Sequence, residues 1–258
     1  MHCVVFTRAT PDTAARVEVS ANGSVTWGDA ALVVNPWDEY ALEEALVQTQ
    51  NAGKSTVIAL GDELHLDALK HSLAMGISEA IRIDDPALDP TDSLAYAVSA
   101  AGAVKKLGDV SLVIFGKESV DVGTDQHAYQ TARKLGWTML SYVSKIIAID
   151  EAAGTIQVER LLEQGKQIVT AKLPAVISVM KDINEPRYPS FMGIRKASKA
   201  VIPVWTLADM GVALPTPRTR IAAFRNLPAR DTQVEMLDGT PEEQAAKLVD
   251  RLLQEKVL

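Results

Sequence analysis

The chain has 258 residues, 47% of them hydrophobic and 23% charged, with a net charge of −7 and a single cysteine. That length buries a substantial core in one large domain or two small ones, and the acidic balance argues against a general nucleic-acid or membrane-surface binder. No apolar run reaches the ~20 residues of a membrane span, and a lone Cys3 permits neither an internal disulfide nor a cysteine-rich metal site.

The N-terminus enters a strand-like run, Val4-Val5-Phe6, with no basic leader before it. No signal peptide is read there, so the chain is expected to be cytoplasmic, with Cys3 a buried structural thiol. A hairpin follows, residues 16–19 returning at 24–27 through the turn pair Asn22-Gly23. Asn35-Pro36-Trp37-Asp38 then opens a helix with Ala41, Leu42, Ala45 and Leu46 on one side; Asn35 or Asp38 is its expected cap and Pro36 suits its first turn. The β-branched run 56–60 ends at Gly61 as a buried strand, and a helix through Leu66, Leu69, Leu73 and Met75 leads to a strand at 80–83. A helix over 92–107 and a strand over 110–115, ended by Gly116, complete a βαβα rhythm. That alternation predicts an α/β fold with a mostly parallel sheet and helices on both faces.

After Gly136 the rhythm changes. Residues 142–149, 155–160 and 167–171 read as antiparallel strands, adding a small antiparallel sheet. The apolar run 173–180 is another strand. It passes into Asn184-Glu185-Pro186-Arg187-Tyr188-Pro189-Ser190-Phe191-Met192-Gly193-Ile194-Arg195-Lys196, which abandons any regular period. Apolar side chains on such a loop need cover, from their own core or from a partner surface. Residues 201–229 read as an extended arm, and Thr240, Pro241, Glu242 and Glu243 open an amphipathic C-terminal helix through Ala246, Leu248, Val249 and Leu252. The expected division is therefore 1–200, an α/β nucleotide-binding domain, and 201–258, the arm and helix.

The candidate ligand site is the strand-turn-helix from Gly116 through Lys117, Val120, Asp121, Gly123, Thr124, Asp125 and Gln126. Open parallel sheets bind ligands beyond the carboxyl ends of their strands. Glycines admit a backbone close to a ligand, and a helix starting near Thr124 offers free N–H groups to a phosphate. The strand ends at Thr7-Arg8-Ala9 and Leu60-Gly61-Asp62, with the turn Asn35-Pro36-Trp37-Asp38, converge on the same edge. The loop is neither a Walker motif nor the GxGxxG pattern, and simple capping by Thr124 competes with the ligand reading. His2, His65, His71 and His127 have no metal-ligand spacing and read as solvated residues; no nucleophile-base arrangement is visible, so no bond-making catalysis by this chain alone is expected.

These segments together resemble the beta (small) subunit of electron transfer flavoprotein. The resemblance rests on Arg8 after the first strand, residues 35–45, Leu73-Ala74-Met75-Gly76, the Gly116-Lys117 loop, and Leu173-Pro174-Ala175-Val176 running into Asn184-Glu185-Pro186-Arg187-Tyr188. It implies a heterodimer with a larger alpha subunit that takes electrons from flavin dehydrogenases through an FAD held mainly by the alpha subunit and hands them to a quinone reductase or similar acceptor. It implies a structural AMP in this chain, bound by Val5, residues 35–38, Asp62 and residues from Gly116 to Thr131. It also implies a docking surface at Tyr188, Phe191, Met192, Ile194, Arg195 and Lys196, with Phe191 as the apolar anchor, and C-terminal packing on the alpha subunit. The loop Asp121-Val122-Gly123-Thr124-Asp125-Gln126-His127 departs from the acid-rich version common in AMP-binding members, and Thr124 matches electron-bifurcating relatives that hold a second FAD here. The Trp37-Asp38-Glu39 turn matches the AMP type. Pro11-Asp12-Thr13 lacks the tyrosine that some members place near the flavin. A non-redox, nucleotide-binding stress-type protein is the rival from a different class.

Overall fold

A computed structural model describes residues 1–217, 221–228 and 234–257. Packing divides the chain into two compact units, 1–223 and 224–258.

The first unit is built around strand β1 (His2–Thr7), followed by the short strands β2 (Ala9–Pro11), β3 (Glu18–Val19), β4 (Val25–Thr26) and β5 (Leu32–Val34). β3 and β4 form the expected hairpin, shorter than its pattern, with Gly23 at φ +84° in the turn. Helix α1 (Pro36–Thr49) leads to β6 (Lys54–Leu60), helix α2 (Leu66–Met75) to β7 (Glu79–Ile83), and helix α3 (Ser93–Leu107) to β8 (Leu112–Gly116). Helix α4 (Gln126–Leu135) precedes β9 (Thr138–Asp150), β10 (Thr155–Leu162), β11 (Gly165–Lys172) and β12 (Ala175–Val179). A short helix α5 (Phe191–Ala197) and β13 (Val204–Trp205) follow.

One nine-stranded sheet runs in the order β11-β10-β9-β12-β8-β1-β6-β7-β13. Its strands from β9 to β13 in that order are parallel, and β10 and β11 add antiparallel at one edge. The antiparallel strands read from the sequence are thus continuous with the parallel sheet, and separate two-stranded antiparallel pieces are β2-β5 and β3-β4. Strand residues alternate between two cores, as the two-residue period of a pleated strand requires. Cys3, Val5, Val57 and Ala59 pack under α1 and α2; Val4, Phe6, Ile58 and Val113 pack under α3 and α4. Burial pushes the Cys3 thiol up to about 12, which leaves it protonated and unreactive.

Two features differ from the sequence expectation. Half of the aperiodic stretch is helix: Ser190 accepts the Gly193 N–H and starts α5 over residues expected to be irregular. At the start of the expected arm, Val204 and Trp205 pair with Arg82 and Ile83, and Leu207 is 7% exposed. The arm's remaining course includes 218–220 and 229, outside the described residues. In the second unit, helix α6 (Pro241–Gln254) begins with a complete capping box between Thr240 and Glu243 and Pro241 at its first turn, as its sequence predicts.

Candidate functional site

The sheet order reverses about β1: the chain proceeds to β6 and β7 on one side and to β8 and β12 on the other. Ligands of open α/β sheets lie at the carboxyl ends of strands beside such a switch point. A cleft opens there, walled by the end of β1, the turn before α1, the end of β8 and the start of α4.

Asn35 ties two of these walls together. It stands at the N-cap position of α1, yet its side chain makes no cap bond. Its Nδ2 instead donates to the Glu118 carbonyl (2.9 Å), and its Oδ1 accepts the Val120 N–H (3.1 Å). Asp38, the other expected cap, is 6% exposed and accepts the Thr7 hydroxyl at 3.1 Å. Burial pushes its carboxyl up to about 7, against hydrogen bonds from Asn35 and Thr7. Gly116 is required where α1 meets β8, because a Cβ there would lie 2.5 Å from Asp38 Oδ1 and 2.6 Å from the Trp37 carbonyl carbon.

The loop after β8 closes on itself. Ser119 N–H donates to the Thr124 carbonyl (3.0 Å), and Gly123, at φ +61°, donates to the Ser119 carbonyl (2.8 Å). The Ser119 hydroxyl donates to Asp121, whose carboxylate also pairs with Arg8 Nη2 at 3.2 Å. Lys117 pairs with Glu118 (3.3 Å) and lies 5.1 Å from the Trp37 ring. The helix begins two residues later than expected, at Gln126. Thr124 is no strong cap, because Gln126 N–H reaches its hydroxyl only at 3.4 Å, and the N-cap residue Asp125 makes no side-chain cap bond. The Asp125 carboxylate accepts the Tyr142 hydroxyl at 3.3 Å.

The aromatic floor was not legible from motifs. Phe6 stacks on Phe115 (centroids 5.0 Å apart), and His127 stacks on Tyr96 (4.1 Å). The expectation of solvated histidines fails at three positions. His2 is 3% exposed between Asp109 and Thr56, and His65 accepts the Ala9 N–H through Nδ1. His127 lines the cleft, where burial and then Arg8 push its imidazole down to about 4. Among the described residues no cluster of His, Cys, Asp and Glu has metal-holding geometry.

Asn35, Asp38, Gly116, Thr124 and Asp125 therefore come together, joined by Arg8 and Ser119. Other candidates lie apart. The Val5 side chain is fully buried under α1, and Asp62 is spent on accepting the Leu64 N–H. Gln126 is exposed, with its Oε1 accepting the Ser93 hydroxyl at 3.3 Å. Thr131 lies deeper in α4, fully buried with an unpartnered hydroxyl. The free space in the cleft is about 30 Å³, enough for one water. Its chemistry fits a phosphate, with a buried, unpartnered Arg8 Nε and a helix start without a side-chain cap. At that size the closed cleft does not admit a nucleotide.

The second candidate surface is mounted rigidly. Asn184 Nδ2 donates to the Tyr40 carbonyl (3.1 Å) and to Glu44 (3.0 Å), and Arg187 grips Glu43 through Nε and Nη2, each at 2.8 Å. Glu43 is almost buried; burial pushes its carboxyl up, and the hydrogen bonds from Arg187 more than offset this and hold it below the usual range. Helix α5 then lies on α2, with Gly193 so close to the Ala74 carbonyl that no Cβ fits. On this mount Tyr188 is 95% exposed, Phe191 80%, Met192 68% and Ile194 53%. Arg195 and Lys196 are exposed beside them.

An electron transfer flavoprotein domain model matches residues 28–210. The chain is 34% identical over 218 residues to protein FixA of Azorhizobium caulinodans, covering 82% of this chain and 77% of that protein. It is 31% identical to the electron transfer flavoprotein subunit beta of Clostridium acetobutylicum over 99% of each chain. It is 30% identical to subunit CarD of the caffeyl-CoA reductase-Etf complex of Acetobacterium woodii over the full length of both. With the motifs of the sequence placed on this fold, the chain belongs to the electron transfer flavoprotein family, among its beta-type subunits.

Proposed function

We propose that this chain is the beta subunit of a heterodimeric electron transfer flavoprotein, pairing with an alpha subunit that holds most of an FAD. When bound, the flavin supplies the redox chemistry, accepting electrons from flavin dehydrogenases and passing them to a quinone reductase or similar acceptor. The observation that carries the reading is the α5 surface, where Phe191, Met192 and Ile194 on the helix and Tyr188 just before it are exposed on a segment tied to the body by Arg187–Glu43 and Asn184. Solvent-exposed apolar clusters of this kind are sites of association, and burying one aromatic anchor stabilises a complex by about 1–3 kcal/mol. Phe191 is that anchor, with Tyr188, Met192 and Ile194 around it and Arg195 and Lys196 on the rim.

The cleft is assigned to a structural AMP. Arg8 and the start of α4 hold the phosphate, while Asn35, Trp37 and Asp38 with Gly116, Lys117, Val120, Asp121, Gly123, Thr124 and Asp125 form the walls. AMP there locks the 117–125 loop against α1 and so stiffens the body that carries α5. The arm and α6 are assigned to the alpha subunit.

Two measurements test the reading. Substituting Phe191→Ala should slow reduction by the dehydrogenase at least about tenfold, the loss of one buried anchor, while flavin content stays constant. An unchanged rate removes the anchor assignment. Mass spectrometry of nucleotide released from the purified complex should find AMP, one per beta chain. A second equivalent of FAD in its place transfers the chain to the two-flavin type, and a homodimer without flavin overturns the proposal.

A further inference from the structure

We propose that a cavity at the β7 edge of the sheet binds a small amphipathic carboxylate, its head held by Lys196 and the Ala80 N–H and its apolar body by Ile77, Ile81, Leu107 and Trp205. The cavity has a volume of about 370 Å³, within the range of small-molecule sites, and shares no lining residue with the cleft. It sits at the amino end of β7, whereas the cleft lies at the carboxyl ends of the strands. The break in the sheet that opens it has a cause in the sequence. Arg82 N–H donates to the Pro203 carbonyl at 3.0 Å, and β13 pairs with β7 from there onward. One step back, the parallel ladder calls for a bond from the N–H of residue 203 to the Ala80 carbonyl. Proline has no N–H to give, so the ladder ends there, and Val201 is 94% exposed. Ala80, on the same side of the strand as Arg82, therefore presents its peptide N–H and carbonyl to the cavity. Among the described residues no bond joins that N–H to the Val201 carbonyl.

The charges in the wall select the ligand. Glu79 and Lys196 are the ionisable side chains that line the cavity. Glu79 is already paired with Lys54 at 3.0 Å, and the neighbouring Ser78 hydroxyl bonds with that of Ser55 at 3.2 Å. Lys196, in the last turn of α5, has no ion pair and no side-chain hydrogen bond among the described residues. The uncompensated charge is therefore a cation. An ammonium group together with a free peptide N–H makes a donor set for a carboxylate, which accepts at both oxygens. The other walls are apolar. Ile77 and Ile81 are each 3% exposed, and Leu73, Leu107 and Trp205 are partly buried against the two cores. Lys106 Nζ lies 4.6 Å from the centre of the Trp205 ring and steadies it. A cationic ligand would meet only a carboxylate that Lys54 already neutralises, and a purely apolar one would leave Lys196 and Ala80 without partners. A medium-chain fatty acid has the size and character that remain.

The test is an NMR titration of the full chain with octanoate, kept below its micelle-forming concentration, following the Ala80 amide and the Trp205 indole N–H. Both resonances should shift saturably. Lys196→Gln should weaken binding at least about tenfold, the loss of a charge-assisted hydrogen bond. Ala200→Trp, which adds bulk to a half-buried wall of the cavity, should abolish it. Octylammonium, with the same chain length and the opposite charge, should leave both resonances in place. Octanoate that moves neither resonance overturns the proposal even if Ala200→Trp fails to fold. Binding that Lys196→Gln leaves at full strength, or that octylammonium reproduces, overturns it too. Shifts confined to the exposed Met192 methyl assign the acid to the α5 surface and likewise overturn it.

Discussion

Two ionisable side chains in the cleft oppose one another. Unfolded, Asp38 and His127 titrate near 3.8 and 6.5; folded, Asp38 is raised to about 7 and His127 lowered to about 4. Between these limits the native chain keeps a proton on Asp38 that the unfolded chain has lost. That contribution to stability is full below about pH 4 and disappears as pH rises to about 7. His127 behaves in the reverse sense: its contribution is full above about pH 6.5 and is lost as pH falls to about 4. Each slope reaches at most about 1.4 kcal/mol per pH unit, so the pair largely cancels in the parent chain. Asp38→Asn should therefore leave stability rising with pH across this window, and His127→Phe, which keeps a ring on Tyr96, should leave it falling. Denaturant midpoints across the window decide it, and identical pH profiles for parent and both variants refute it. Neither shift was readable beforehand, because each arises from contacts between segments far apart in the chain. Asn35, Asp38, Gly116 and Thr124 were legible as strand-end and turn residues, whereas Arg8's pairing with Asp121 and His127's stacking on Tyr96 exist only once the sheet is assembled.

At the scale of elements, α5 carries the sharpest consequence. A seven-residue helix is far too short to persist alone in water, so its order depends on the Ser190 cap and on contact with α2. Ser190→Ala removes a cap worth about 1 kcal/mol, nearly all of it local to α5. Gly193→Ala forces a methyl group into the Ala74 carbonyl and lifts the helix from its seat, at a cost of about 1–3 kcal/mol. Both should slow reduction by the dehydrogenase while the global unfolding midpoint moves little for Ser190→Ala and more for Gly193→Ala. A rate that survives both changes would show that the ordered helix is not needed for docking. The same dependence on tertiary context explains what the sequence left unread. The longer helices and buried strands carry their own periodicity and caps, such as Asp92 accepting from Leu94 and Ala95 at the start of α3. By contrast α5 is hidden among prolines, and the two residues of β13 are strand only because β7 offers an unpaired edge. The antiparallel strands were visible as strands, but their place beyond β12 is a non-local pairing that no window of sequence contains.

At the scale of the molecule, the chain separates where the packing separates. Residues 1–223 hold both hydrophobic cores, the cleft and α5, whereas 224–258 has no buried side chain among its described residues. Helix α6 has a complete capping box, yet fourteen residues are marginal for an isolated helix, and its apolar Leu248, Val249 and Leu253 are about half exposed. A helix of that kind gains its stability from the surface that covers it, and the alpha subunit is the cover assigned here. Truncation after Ala223 should then leave the cooperative unfolding of the first unit within about 1 kcal/mol of the parent, since no core residue is removed. The truncated chain should still respond to nucleotide, because every wall of the cleft lies before residue 143. Copurification with the alpha subunit, however, should be lost or weakened by about a hundredfold or more, as expected when several apolar anchors go at once. Charged substitutions at Leu248 and Val249 in the full chain should reproduce that loss without deleting the arm. If the truncated chain instead holds the alpha subunit as tightly as the parent does, subunit association belongs to the first unit alone, and α6 must find its cover elsewhere.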